Sequence, residues 1–414
     1  MEPFTYPIEE HAMTINTQAR ISSGMTMLLA AAAGIIVANL YYAQPLVGPI
    51  GAALGMPPGA TGLVVTLTQI GYCLGLLFIV PLGDLVENRR LIVSGLVATG
   101  AALALAANAS AAWQFLLAAL AIGLGAVVAQ VLVPFAAHLA PEATRGQTVG
   151  KVVSGLLLGI MVARPVASVL AGFGGWQAVF GIAAALVLLL AVVLHFRLPQ
   201  RRPAATQRYG ALIASLWPVL ANTVVLRRRA LYHAGLFGAF SLFWTVAPQA
   251  LAGPDFGLSQ NGIALFALVG MAGAVASPIA GRLADGGHTL GATAIALAVG
   301  ALSFMLPLFA PHSKPLALGL LALAAIALDA AVAANLVLGQ RALFALGAEI
   351  RSRLNGLYFA LFFAGGALGS ALGGWVYAQY GWHAALVTGM LLPALALPAW
   401  LWEAAEHTAS RQQA

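Results

Sequence analysis

Gly174-Gly175-Trp176-Gln177-Ala178 returns 206 residues later, counted from Trp176 to Trp382, as Tyr380-Gly381-Trp382-His383-Ala384. Val80-Pro81-Leu82-Gly83-Asp84 returns 201 residues later, counted from Asp84 to Asp285, as Gly281-Arg282-Leu283-Ala284-Asp285. A looser pair joins Glu142-Ala143-Thr144-Arg145-Gly146 to Glu349-Ile350-Arg351-Ser352-Arg353. The three pairs keep one order and nearly one shift, and each falls in a short link between very apolar stretches. Self-similarity at a fixed spacing marks a duplicated structural unit, so the chain reads as two copies of one helical bundle.

Composition places those bundles in lipid. Hydrophobic residues make up 61% of the chain and charged residues 7%, against about 25% charged in an average soluble domain, so a water-facing surface cannot be built. The 46 glycines suit helices whose backbones approach closely in a bilayer. Cys73 is the single cysteine and carries no information on redox compartment. The net charge of +7 is no nucleic-acid signature, because its arginines sit between the apolar runs.

Runs long enough to span a membrane fall at 25–50, 60–82, 91–109, 113–137, 149–172 and 177–197, then at 230–252, 260–283, 289–310, 315–340, 354–378 and 384–402. The fold class is therefore all-α: twelve transmembrane helices in two pseudo-symmetric six-helix bundles. The expected divisions are a tail 1–24, a first bundle 25–197, a link 198–229, a second bundle 230–402 and a tail 403–414. Of the 19 lysines and arginines, all but Arg164 and Lys314 lie in the tails and the even-numbered links. The positive-inside rule places those segments and both termini in the cytoplasm; the expected location is a bacterial-type inner (plasma) membrane. Within the central link, Tyr209 to Trp217 reads either as an amphipathic helix lying on the inner leaflet or as a plain tether.

With the spans counted, Pro81-Leu82-Gly83-Asp84-Leu85-Val86-Glu87-Asn88-Arg89-Arg90 resembles the signature Gly-x-Leu-Ala-Asp-Arg-x-Gly-Arg-Arg of the major facilitator superfamily. Glu87 stands where that signature has its second glycine. Gly281-Arg282-Leu283-Ala284-Asp285 matches its first half. Ala38-Asn39-Leu40-Tyr41-Tyr42-Ala43-Gln44-Pro45-Leu46 and Arg353-Leu354-Asn355-Gly356-Leu357-Tyr358 resemble bacterial proton-coupled drug and metabolite exporters. The glycine signature of antiporters on span 5 carries Lys151, Ile160 and Arg164 at three of its glycine positions. The resemblance implies a secondary transporter that moves a small organic compound by alternating access, through proton-coupled export or, in the alternative, proton-coupled uptake. It implies that spans 1, 4, 7 and 10 line the cavity. It also implies a conformational latch at Asp84, Asp285, Arg89, Arg90 and Arg145, although Arg89 and Arg90 read equally as topology anchors.

Arg164 in span 5 and Asp329 in span 10 are the two formal charges well inside spans. Each costs about 2.5–3.5 kcal/mol at mid-bilayer on the insertion scale, so each needs a wet cavity or a partner. A partly dehydrated carboxylate favours its neutral form, which makes Asp329 a candidate site for a coupling proton; a permanent structural hydrogen bond is the other reading. Arg164 cannot release a proton; it can hold an anionic substrate, neutralise Asp329 or brace span 5. Softer cavity candidates are Asn39, Tyr41, Tyr42, Gln44, Gln69, Gln130, Trp244 and Thr245, any of which can instead bridge helices or join an aromatic belt. The histidines fall near expected bilayer edges without metal-ligand spacing, and the sequence has neither His-Glu-x-x-His nor Gly-x-Ser-x-Gly. No enzyme, metal or cofactor is expected, and the partners are a small molecule, protons and the bilayer, with the chain acting as a monomer. A transporter-like sensor or scaffold is the remote alternative.

Overall fold

A computed structural model describes residues 22–203, 208–309, 313–347 and 350–412. Residues 1–21, which include Arg20 and most of the expected first tail, lie outside it, as do His312, Glu349 and the last two residues. Every regular element among the described residues is helical. In hydrocarbon each backbone N–H and C=O must be satisfied within the segment, and a helix does this alone.

Among the described residues nine helices are long and apolar enough to cross a bilayer, and three local features turn nine into twelve spans. Two of the nine, Arg145–Arg197 and Arg351–Ala409, carry two spans each. The first breaks at Gly174 and Gly175, the second at Gly381. Gly175 has φ 72° and Gly381 φ 79°, a left-handed backbone that a side chain resists. The repeated Gly-Trp signature is thus the corner that separates span 5 from 6 and span 11 from 12. The tryptophan after each glycine is packed on rings: Trp176 lies 5.6 Å from Phe115 and Trp382 lies 6.5 Å from Tyr377.

The third feature is span 1, which is split into Ser23–Ala38, the short turn Gln44–Leu46 and Val47–Ala53. Pro45 offers no backbone N–H to continue the ladder. Where the helix ends at Ala38, the Asn39 side-chain NH2 donates to the carbonyls of Ile35 and Ile36, both at 2.9 Å. The remaining spans are Pro58–Asp84, Asn88–Ala107, Ala112–Leu139, Val224–Ala252, Gln260–Asp285, Thr289–Leu308 and Lys314–Phe344.

Small residues set the packing inside each bundle. Spans 1 and 5 meet at Gly34 and Gly159, and spans 7 and 11 meet at Gly238 and Gly365, the same contact repeated 204 to 206 residues on. Between bundles, spans 2 and 11 pack closely at Gly62 and Gly374 and through Tyr72 against Phe363, and polar ties are added. Thr66 Oγ1 lies 2.8 Å from Ser370 Oγ, Gln69 Nε2 donates to Ser241 Oγ at 2.7 Å, and Cys73 Sγ donates to the Ala360 carbonyl at 3.3 Å.

The ends that carry the basic links are tied down locally. Glu87 caps span 3 by accepting from the backbone N–H of Arg89 at 2.9 Å and of Arg90 at 3.0 Å. Its neighbour Asn88 accepts from Arg201 at 2.8 Å, so the start of the central link is fastened to this corner. Further on, Tyr209–Asn222 is a helix whose Tyr209 hydroxyl donates to the Phe78 carbonyl at 2.9 Å. The helix of span 7 begins at Val224, so Arg227, Arg228 and Arg229 form its first turns. The chain end is helical too, over Leu397–Gln412. Arg229 pairs with Glu403 at 2.8 Å and Arg228 with Glu406 at 2.7 Å.

Gly369→Ala tests the packing. An added Cβ there would overlap the Gly238 carbonyl oxygen, backbone that cannot swing aside. Thermal melts in detergent should show a loss of about 1–3 kcal/mol, the usual range for overpacking. Gly291→Ala, whose Cβ meets nothing within 4 Å, should leave the melt unchanged or raise it.

Candidate functional site

The break in span 1 turns Tyr41 and Gln44 into the middle of the molecule, where both are buried. Arg164, one residue before Pro165 in span 5, is 4% exposed and meets them there. Its Nε donates to Gln44 Oε1 at 2.7 Å. The guanidinium carbon stands 4.4 Å from the Trp244 ring centre, 4.7 Å from Phe240 and 5.4 Å from Tyr41. Cation–π contacts of this kind contribute about 0.5–2 kcal/mol each.

From the second bundle comes the opposite charge. Asp329 Oδ2 lies 4.0 Å from Arg164 Nη1, an ion pair beyond hydrogen-bonding distance. The other carboxylate oxygen, Oδ1, accepts the indole N–H of Trp244 at 3.0 Å. Span 8 makes room for both groups with glycine. A Cβ on Gly270 would stand 2.7 Å from Trp244 Cζ2 and 3.3 Å from Asp329 Oδ2, and one on Gly273 would stand 2.8 Å from Asp329 Cβ. The site therefore draws on spans 1, 5, 7, 8 and 10, and its one positive and one negative group come from different halves. Removing either alone would leave a buried charge without its complement, which is far costlier than removing both.

Other candidates lie elsewhere. Gln130 donates to the Tyr72 hydroxyl at 2.9 Å within the first bundle. Gln69 ties span 2 to span 7 through Ser241, and Asn39 serves the break in span 1. Tyr42 and Thr245 are buried, with the Thr245 hydroxyl unpartnered among the described residues. Histidine 233 departs from the expected bilayer-edge position. It is 1% exposed, its Nδ1 stands 3.1 Å from Asn335 Nδ2, and the Phe362 ring lies 4.5 Å away.

The expected latch residues do not converge. Arg89 reaches the carbonyls of His195 and Leu198, both at 3.4 Å, and Arg145 donates to Ala137 O at 3.2 Å. Arg90 lies 3.7 Å from Glu87. Asp285 pairs with Arg341 of its own bundle at 2.6 Å, on an exposed surface where such pairs contribute little. Among the described residues none of these arginines pairs with Asp84. Helix-end carbonyls and Glu87 occupy them instead. Asp84 lines a small cavity of about 40 Å³ together with Ser352 and Arg353 of the other half and Leu212 and Leu216 of the link helix.

A bilayer-length helical bundle with a cross-half ion pair at its centre agrees with the comparisons to known proteins. The sequence model of the Major Facilitator Superfamily matches residues 26–348. The chain belongs to the Major Facilitator Superfamily. Among its relatives, the uncharacterized transporter YgaY of Escherichia coli O157:H7 is 39% identical over 381 residues, covering 92% of this chain and 95% of that protein. The probable transporter SCO4007 of Streptomyces coelicolor is 36% identical over 359 residues, 86% of this chain and 82% of that one. Two solved structures share the fold at 15% identity. A mutant of the nucleoside transporter NupG superposes with a TM-score of 0.72, covering 91% of this chain and 99% of that one. A bacterial homologue of the human lysosomal transporter Spinster, inward-facing and unoccupied, superposes with 0.70, covering 91% and 95%. The molecule is a multi-pass membrane transporter of this type, with twelve helices in two bundles.

A double-mutant cycle measures the central pair. Arg164→Gln alone should lower unfolding stability by about 3 kcal/mol, because a buried carboxylate loses its counter-charge. Adding Asp329→Asn should recover much of that loss. Strictly additive losses in the melts would mean that the two residues do not interact.

Proposed function

We propose that this superfamily member is a secondary active transporter that carries a small organic compound across the bacterial inner membrane by alternating access. In this reading a proton on Asp329 couples the cycle, and the direction is export. The supporting observation is that Arg164 and Asp329 belong to different bundles and lie 4.0 Å apart. A motion of one bundle against the other therefore makes or breaks the contact between the two charges that the bilayer tolerates least. Whatever neutralises Asp329 changes the stability of that contact, which is the requirement for a proton to bias a conformational equilibrium. The basic links and both termini are cytoplasmic in this arrangement, the monomer is the working unit, and neither a cofactor nor an enzymatic step takes part.

Asp84 remains a proposed latch: it shares its cavity with Arg353 of the other half, and Arg201 of the link is the cation whose charge reaches it. Export follows from the likeness of the Asn39–Pro45 stretch to exporters. Proton-coupled uptake is the second reading, and one observation favours it: among the described residues Arg164 is the single cation beside Asp329, so a substrate that engages this guanidinium and a proton on Asp329 are most stable together, which is the logic of symport.

Reconstitution in proteoliposomes tests the coupling, with a transported compound chosen by a ligand-stabilisation screen. Asp329→Asn should abolish accumulation driven by a pH gradient while counter-exchange continues. Transport that keeps its wild-type pH dependence in this variant would remove the coupling role. The sign of the pH change on adding substrate separates export by exchange from symport.

A further inference from the structure

Two hydrogen-bond donors in the central site have no acceptor. Because an arginine Nε only donates, Gln44 must turn its carbonyl oxygen toward Arg164, as the 2.7 Å contact records. That choice aims the Gln44 NH2 group away from the guanidinium. Gln44 Nε2 and Arg164 Nη2 are both unpartnered among the described residues, on side chains that are 0% and 4% exposed. A buried donor without an acceptor is destabilising, more so when it is charged. The missing partner is an acceptor, and beside a guanidinium the best acceptor is an anion.

We infer that the central site is a receptor for an organic carboxylate, one oxygen accepting from Arg164 Nη2 and the other from Gln44 Nε2. The inference rests on this being the transport site, in the proton-coupled uptake reading, and specifies what it carries. Aromatic faces of Tyr41, Phe240 and Trp244 surround the guanidinium, so the apolar body attached to the carboxylate meets rings rather than further charges. A cationic substrate is disfavoured, because Arg164 already balances Asp329.

Charge balance then makes binding depend on protons. One guanidinium neutralises one carboxylate, and Asp329 holds that position now. Around Asp329, span 5 presents Arg164 and span 1 presents Tyr41, whereas span 7 presents Trp244 and span 8 presents glycines. Among the described residues no second cation is beside it, so a ligand carboxylate enters at full strength only when Asp329 carries a proton. Binding that takes up one proton tightens by at most about tenfold per pH unit as pH falls.

The experiment compares benzoate and 3-phenylpropionate with their amides and with benzylamine, by thermal stabilisation and titration of purified protein between pH 6 and pH 8. The carboxylates should stabilise the protein and bind more tightly at the acid end, and the amides and the amine should not. In Asp329→Asn the carboxylates should still bind, with affinity independent of pH. Gln44→Glu, made in the Asp329→Asn background so that Arg164 still faces a single carboxylate, keeps the acceptor for Arg164 and replaces the NH2 donor with a carboxylate oxygen; it should weaken carboxylate binding about tenfold or more relative to Asp329→Asn alone, with no loss in the melt. Equal stabilisation by all charge classes, preference for the amine, or no stabilisation by either carboxylate would overturn the inference. If another compound class drives proton flux in proteoliposomes while these acids fail, the carboxylate inference falls and the transport reading stands.

Discussion

A charge that lipid rejects has to find its complement inside the protein, and most of the central architecture serves that need. Arg164 and Asp329 approach to 4.0 Å only because several elements yield space or contacts to them. The helix of span 1 gives up its ladder so that Gln44 can face Arg164. Span 7 supplies one tryptophan that covers the guanidinium with its ring and holds the carboxylate with its indole N–H. Span 8 withholds side chains at Gly270 and Gly273. In water such a pair would be worth little. In a low-dielectric centre its separation is expensive, and that difference gives a single contact authority over how the halves sit together.

The duplication carries packing and turn chemistry but not this charge. The glycine contact of spans 1 and 5 recurs in spans 7 and 11, and the Gly-Trp corner recurs at Gly175 and Gly381. The residue 206 positions after Arg164, by contrast, is Ser370, which faces Thr66 across the bundle interface. Backbone geometry constrains both copies equally, because every span must solve the same hydrogen-bonding and close-approach problem. A binding site has no such symmetry, and here its two ionic groups are divided between unlike positions of the two halves.

That division explains what could be read from the chain. Span number, the charge distribution of the links and the corner motifs follow from composition, length and backbone rules, and all are local. Arg164 and Asp329 stood out as misplaced charges, but their proximity depends on how span 5 crosses spans 8 and 10, and no local pattern records that. Trp244 could be listed as a cavity residue, whereas its double contact could not be foreseen. Glu87 looked like a departure from the family signature, yet it caps span 3 and lies beside the anchor of the central link. In this structure the arginines proposed for the latch meet helix-end carbonyls and Glu87, because free carbonyls at helix ends compete for any guanidinium.

The same comparison indicates where the molecule can move. Within each bundle, glycine pairs set helix backbones against one another, and buried networks such as Arg229 with Glu403 and Thr293 fasten the flanking segments. Between bundles, outside the central site, spans 2 and 11 pack backbone to backbone at Gly62 and Gly374, the Tyr72 ring lies 4.6 Å from the Phe363 ring, and neutral hydrogen bonds form at Thr66, Gln69 and Cys73. These contacts carry no charge, so the ion pair is the contact among them that a proton or an anion alters directly. Anything that changes the charge at that point, whether a proton or an anion, therefore acts on the whole interface.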